Sequence, residues 1–143
     1  MKWSSTILMM VSVVVSAMSC DDTDRSEKER SWTLQAQNST PHEVVIKLFS
    51  TDAALPPSFG VPPGVTVKLF DGLSGLLNLD PISAGRYDSA FMIFNQADTL
   101  KFYKNQAEKS ILDREDYEVT KQEDDFTLYT YPITEEEYQL TQK

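Results

Sequence analysis

Residues 89–103 read Ser-Ala-Phe-Met-Ile-Phe-Asn-Gln-Ala-Asp-Thr-Leu-Lys-Phe-Tyr, and this stretch is the most informative about the fold. Its first arm is nearly all apolar between Ala90 and Phe94, which is typical of a strand in the centre of a core. The following Gln-Ala-Asp is polar and predicts a turn, and residues 99–103 predict the returning strand. The stretch therefore predicts a β hairpin with a central core strand.

The rest of the chain between Trp32 and Tyr131 repeats a period of two, which indicates further strands. Residues 44–49 are apolar on both faces, so we expect that strand to be covered on both sides. Strands at this density, separated by turn signals, predict an all-β, immunoglobulin-like antiparallel β-sandwich. A small β-barrel or an α+β domain is the alternative. The strand signals outside the hairpin lie at residues 32–36, 44–49, 65–69, 117–120 and 126–131.

One helix is indicated, at the end of the chain. Thr134-Glu135-Glu136-Glu137 is a capping-box pattern, in which the side chains of the first and fourth residues bind each other's main-chain amides. Ile133 and Tyr138 stand where a hydrophobic staple would form, and the three glutamates suit the positive end of the helix dipole. The sequence predicts a short C-terminal helix with a structural role.

The first 19 residues are typical of a signal peptide. Lys2 is followed by an apolar run from Ile7 to Ala17, whose length matches the hydrophobic region of such peptides. A spanning helix needs about 20 predominantly apolar residues, and Ser and Thr interrupt this stretch. An uncleaved membrane anchor is the alternative.

Ala17-Met18-Ser19-Cys20 resembles the lipobox of bacterial lipoproteins, where small residues precede an obligatory cysteine. The resemblance implies that the sulfur of Cys20 receives a diacylglycerol and that cleavage leaves Cys20 as the first residue. Two or more acyl chains give firm anchoring where one chain is marginal. The membrane is therefore the first expected partner, reached through Cys20.

Acidic residues follow the cysteine directly, at Asp21, Asp22 and Asp24. In lipoproteins, acidity at this place resembles an inner-membrane retention signal in some bacteria and a surface export signal in others. Repeated acidity fits the second pattern better, so we expect the outer membrane or cell surface, with an orientation toward the periplasm as the alternative. Residues 20–31 have no apolar residue after the cysteine and predict a flexible acidic tether, followed by one domain at 32–143.

Composition excludes some classes of function. The chain has a formal net charge of −9, which opposes nucleic-acid binding. Its one cysteine is assigned to lipidation, so no disulfide framework is expected. The composition and motifs indicate no cofactor.

The candidates for chemistry are weak. His42 is the only histidine and follows Pro41 in a turn, which indicates a solvent-facing residue rather than a catalytic base. Asp113, Glu115 and Asp116 could form a calcium loop, but acidic loops are usually only solvated, so we predict no metal site. No pair of carboxylates is singled out for hydrolysis. We predict that the protein is not an enzyme, with a small hydrolase as a distant alternative.

Two kinds of exposed feature remain. Asp88-Ser89-Ala90 and Asp98-Thr99-Leu100 resemble short O-glycosylation sites of exported bacterial proteins, which makes Ser89 and Thr99 candidates for modification; ordinary strand-edge residues are the alternative. Residues 52–64 hold four prolines and favour an extended path. Leu55, Phe59 and Val61 lie among these prolines. They either pack onto their own sandwich or form an interaction loop.

These observations leave two classes of function open. The first is a lipid-anchored, non-catalytic module of the cell envelope that binds a glycan or a protein, or that serves as an accessory subunit. The second is a structural or envelope-maintenance lipoprotein without a ligand. An exposed aromatic cluster would favour binding, and a smooth charged surface would favour the structural role.

Overall fold

The computed structural model describes residues 30–52, 54–74 and 80–143. The predicted signal peptide, Cys20 and most of the predicted tether lie outside these residues. The described part forms eight strands and one short α-helix. The bounds are β1 (Arg30–Asn38), β2 (Val44–Phe49), β3 (Ser58–Val61), β4 (Thr66–Ser74), β5 (Ser89–Phe94), β6 (Asp98–Tyr103), β7 (Glu118–Glu123), β8 (Phe126–Ile133) and α1 (Glu135–Leu140).

The strands form two four-stranded sheets that pack against each other, so the predicted β-sandwich with a short C-terminal helix is confirmed. The first sheet has the order β4-β1-β8-β7, and the second has the order β3-β2-β5-β6. The β1–β8 pair is parallel, which differs from the wholly antiparallel pairing that we predicted. A parallel pair needs a long crossover, and here the chain between these two strands builds the rest of the sandwich.

Alternation along the strands builds the core. Leu34 and Ala36 from the first sheet face Ile46 and Met92 from the second, and each of these side chains is fully buried. Side chains at the intervening positions of β2 and β5 are only half-buried, on the outer face of the second sheet. The expectation that β2 is covered on both sides is therefore not met by the described residues.

Two aromatic contacts pack the open side of the sandwich between β3 and β4. Phe59 meets Phe70 edge-on at 5.5 Å between ring centroids, and Tyr87 stacks on Phe70 at 5.9 Å. Nearby, the indole of Trp32 lies close to β4 at Gly72, where a Cβ on Gly72 would come within 2.6 Å of the ring. The glycine is needed because the strand approaches this ring so closely.

The helix closes one end of the sandwich. Its predicted capping box is present at Thr134 and Glu137, with the Thr134 N–H donating to Glu137 Oε2 at 2.9 Å. Tyr138 stacks on the ring of His42 at 3.8 Å and contacts Phe94 at 5.5 Å. The helix is therefore held by aromatic packing as well as by its cap.

His42 was predicted to face solvent, and this was wrong. Its side chain is 20% exposed, and Nε2 lies 3.6 Å from Glu135 Oε2. Nδ1 lies 3.0 Å from Asn95 Nδ2. The residue does follow a turn, but the helix folds back over it, and a pattern of local residues does not reveal that long-range contact.

Two boundaries also differ from expectation. β1 begins at Arg30, so the predicted tether is shorter and the domain longer than the division at Trp32. The proline-rich stretch contains β3, a strand that the proline content concealed. In the described part of the chain, no helix is both long enough and apolar enough to cross a membrane.

Candidate functional site

A cleft opens at the end of the sandwich opposite α1, where β5 begins and β6 ends. Its volume is about 320 Å³. Three segments form its walls, at residues 82–87, 103–106 and 110–115. The side chains that define its chemistry are Tyr87, Tyr103, Lys104, Gln106, Arg114 and Glu115.

The first wall is a tight turn that starts at Asp80. The Asp80 Oδ1 atom accepts hydrogen bonds from the amides of Ile82 and Ser83 at 3.0 and 2.9 Å, which caps the turn. Gly85 ends it with a φ of +60°, a conformation that favours glycine. The wall is therefore fixed by its own local hydrogen bonds.

The second wall is the short 3₁₀ turn Arg114–Asp116. Asp113 caps this turn, because its Oδ1 atom accepts from the Glu115 amide at 2.9 Å. The Arg114 guanidinium lies over the ring of Tyr129, 3.1 Å from its centroid, and its Nε lies 3.6 Å from Asp80 Oδ2. Arg114 therefore links the first two walls.

The third wall follows β6. The Lys104 ammonium donates to the Gly85 carbonyl oxygen at 3.2 Å, across the cleft. A Cβ on Gly85 would lie 2.7 Å from this nitrogen, which the flexible lysine can relieve, so the positive φ is the stronger reason for glycine here. Gln106 accepts from the Tyr103 amide at 2.9 Å and so fixes the end of the strand.

Two tyrosines supply the aromatic surface of the cleft. Tyr103 is 56% exposed, and Tyr87 is half-buried with one ring face on Phe70. Within the described residues, neither hydroxyl has a hydrogen-bond partner. Burial raises the pKa of Tyr87, with a smaller opposing effect from Arg86. This hydroxyl therefore remains a hydrogen-bond donor throughout the physiological pH range.

The charges around the cleft balance. Lys104 and Arg114 are matched by Asp113 and Glu115, and Arg114 already has Asp80 as a partner. Such a lining gives no net attraction for a strongly charged ligand and suits an uncharged polar one. Within the described residues, no group of three potential ligands is placed to hold a metal ion.

Two of the three acidic residues that we considered for calcium, Asp113 and Asp116, have structural roles. Asp113 caps the 3₁₀ turn, as described above, and Asp116 Oδ2 accepts from the Ser110 amide at 2.7 Å. Both carboxylates satisfy main-chain donors that would otherwise lack partners.

The candidate interaction loop is divided by the structure. Leu55 is 85% exposed, whereas Val61 is fully buried at the end of β3. Phe59 packs against the core beside Phe70. Of the three residues, only Leu55 lies on the surface in the way an interaction loop requires.

The two candidate modification sites lie in strands of the second sheet. Ser89 opens β5 and is half-buried, while Thr99 is exposed on β6. The preceding Asp88 is already engaged, because its Oδ2 atom accepts from the Thr51 amide and hydroxyl at 2.9 and 2.6 Å. Those bonds hold the pKa of Asp88 below its ordinary value.

Sequence reasoning missed the cleft. Its walls come from three separate segments, and only the fold brings them together. The one local signal was Asp80-Pro81-Ile82-Ser83-Ala84-Gly85, a capped turn with a terminal glycine, which predicts structure but not a site. Comparisons with protein-family models, curated proteins and solved structures found no match to this chain.

Proposed function

We propose that this protein is a lipid-anchored, non-catalytic binding module of the cell envelope, and that its cleft takes an uncharged saccharide. The observation that carries the proposal is that Tyr87 and Tyr103 both line a polar, charge-balanced cleft. Tyrosines combine an apolar ring face, which suits the C–H face of a sugar, with a hydroxyl that can bind sugar hydroxyls. Pockets of small-molecule ligands begin at about 300 Å³, so one or two sugar rings suit this cleft.

Aromatic side chains at the surface also support binding over a purely structural role. Tyr103 is exposed at the cleft, and the half-buried rings of Phe49 and Phe91 contact each other on the outer face of the second sheet at 4.7 Å. We expected an exposed aromatic cluster to favour binding, and of these three rings only Tyr103 is exposed.

The proposed anchor places the cleft near the membrane. Arg30 pairs with Ser74 at the end of the sandwich where β5 begins, so the chain enters the domain at the cleft end. Residues 20–29 can span at most about 35 Å when fully extended. Arg30 is then within that reach of the envelope surface, and the cleft lies at the same end of the domain.

Saccharide binding is tested by titrating the isotope-labelled domain with oligomers of glucose and of N-acetylglucosamine and following its amide resonances by NMR. We expect shifts at residues 82–87 and 103–115, and about a tenfold loss of affinity in Tyr87→Ala, as for removal of an aromatic contact. Leu55→Ala is the control and should bind as the unaltered protein does. If none of these oligomers binds a folded domain, the structural lipoprotein becomes the better hypothesis.

Anchoring is tested separately with Cys20→Ser in cells. Without the sulfur no thioether forms, so we expect an uncleaved precursor or a protein that leaves the membrane fraction. Mass spectrometry of the membrane-bound unaltered protein should find diacylglycerol on Cys20. An unmodified thiol on a membrane-bound protein would contradict the anchor and leave the cleft proposal intact.

A further inference from the structure

The described sandwich has four edge strands, and three of them carry features that hinder pairing with another strand. β3 is four residues long and lies between Pro57 and Pro62. β4 has an irregularity opposite Leu34 and Gln35, and β7 has one between Val119 and Lys121.

β6 carries none of these features. Its six residues pair with β5 without a register shift, and none of them is proline. The Lys104 amide donates to the Asp88 carbonyl at 3.0 Å on the β5 side. Hydrogen-bonding direction alternates along an antiparallel strand, so the main-chain groups of Thr99, Lys101 and Tyr103 point away from β5.

Only part of the outer edge of β6 has main-chain groups that are free to pair with another strand. The Tyr103 amide already donates to Gln106 Oε1 at 2.9 Å, and its carbonyl accepts from the Gln106 amide at 3.3 Å. Thr99 and Lys101 keep their outward N–H and C=O groups without partners among the described residues. These two residues offer the hydrogen bonds that an added strand would use.

The side chains beside this edge indicate the chemistry of the partner. On the outer face of the second sheet the charged side chains are Lys47 and Lys101, and no carboxylate occupies an outward position of its four strands. The chain as a whole has 22 acidic against 13 basic residues, so this face differs from the rest. Beside the lysines lie the half-buried apolar residues Val45, Phe49, Phe91 and Ile93.

The opposite side of the edge is apolar. Leu100 points toward the inside of the sandwich and is half-exposed at the margin of the sheet. A residue that paired beside it would be covered best by another apolar side chain. An added strand would thus place acidic side chains beside Lys101 and apolar side chains beside Leu100.

We propose that β6 binds an extended segment of a partner protein in which acidic and apolar residues alternate. The segment would add a fifth strand to the second sheet, with main-chain bonds to Thr99 and Lys101. A second copy of this chain is disfavoured as the occupant of this edge, because its own β6 would bring Lys101 rather than an acidic side chain to the pair. This site is distinct from the cleft, and it does not depend on saccharide binding.

The probes are two short synthetic peptides, one alternating glutamate with valine and the other alternating lysine with valine. Each peptide is titrated into the isotope-labelled domain. The intact mass of the domain is measured beforehand to exclude a glycan on Thr99. We expect the glutamate peptide to bind at least about tenfold more tightly than the lysine peptide. Its largest amide shifts should fall on residues 98–103.

Two substitutions in β6 test the geometry. Thr99→Pro removes an outward N–H but no bond to β5, so it should abolish peptide binding while the domain still unfolds cooperatively. Thr99→Val keeps the N–H and is the matched control, which should bind normally. Lys101→Glu keeps the edge intact and should reverse the preference between the two peptides.

Several outcomes would overturn the proposal. These are equal affinity for both peptides, shifts that map away from β6, or unchanged binding in Thr99→Pro. Sedimentation that reveals a dimer lost in Thr99→Pro would assign the edge to a second copy instead. Tyr87→Ala should leave peptide binding unchanged, so failure at this edge is separable from failure of the saccharide proposal.

Discussion

At the scale of single residues, several acidic side chains of the described residues act as local structural ligands. Asp80 and Asp113 cap turns, and Asp88 binds Thr51. Glu137 goes further, since it is the one charged side chain that is buried in the described part of the chain. Each of these carboxylates accepts hydrogen bonds from donor groups that would otherwise lack a protein partner.

Glu137 provides a test of this role. Burial alone would raise its pKa, but hydrogen bonds from Lys109 and Thr134 outweigh burial and hold the pKa of this carboxyl below its ordinary value. Lys109 Nζ lies 2.5 Å from Glu137 Oε1. A carboxyl with a lowered pKa stabilises the fold above its unfolded pKa of about 4.3 and loses that contribution as the pH falls through its folded pKa.

We therefore expect Glu137→Gln to lower the free energy of unfolding by about 1–3 kcal/mol at pH 7. The difference should shrink as the pH falls below the unfolded pKa of about 4.3 and through the lower folded pKa of Glu137. Urea denaturation from pH 7 down through this range measures the difference. Glu136→Gln is the control, because Glu136 is exposed in the same first turn, and it should change little. A loss in Glu137→Gln that is independent of pH would contradict the charge-based explanation.

At the scale of elements, β3 is the strand that the sequence did not predict. Its stretch of prolines suggested an extended loop, but Phe59 and Val61 between the prolines pack on the core. The sequence left two hypotheses for this segment, packing onto the sandwich or forming an interaction loop. Substitutions at Phe59 and Leu55 test them.

We expect Phe59→Ala to destabilise the domain by about 2 kcal/mol, less than the 3–5 typical of fully buried phenylalanine, because the ring is half-buried. This corresponds to a fall in melting temperature of roughly 4–8 °C per kcal/mol for a domain of this size. Leu55→Ala in the same segment should leave the melting temperature unchanged, since its side chain is 85% exposed. Equal effects of the two substitutions in thermal denaturation would show that β3 is not a fixed part of the sheet.

The strand-level comparison also shows what the sequence could predict. Period two placed β1, β2 and β8, because each has an inner face that must be apolar to be buried, and a continuous apolar run placed β5. It could not tell which face of β5 is inside, since Phe91 and Phe94 are equally apolar. Phe94 is fully buried, whereas Phe91 lies on the outer face under the ammonium of Lys101. The sequence did not predict the cleft either, because its walls come from three separate segments that meet only in the folded protein.

At the scale of the whole molecule, the first and last strands lie side by side in the first sheet. β8 lies between β1 and β7, so it completes the sheet at its centre. The helix that follows covers an end of the sandwich without pairing to any strand. The two C-terminal elements should therefore contribute to stability in different ways.

A pair of truncations separates these contributions. A chain ending at residue 133 loses α1 and exposes Phe94 and His42, but it keeps both sheets; we expect it to fold, with a melting temperature lower by roughly 4–8 °C for each kcal/mol lost. A chain ending at residue 125 loses β8, which leaves β7 without its sheet partner and opens Leu34 and Ala36 to solvent. We expect this chain to show no cooperative transition in thermal denaturation followed by circular dichroism. Cooperative unfolding of the shorter chain would show that β8 is dispensable, and an unfolded longer chain would make α1 an integral part of the core.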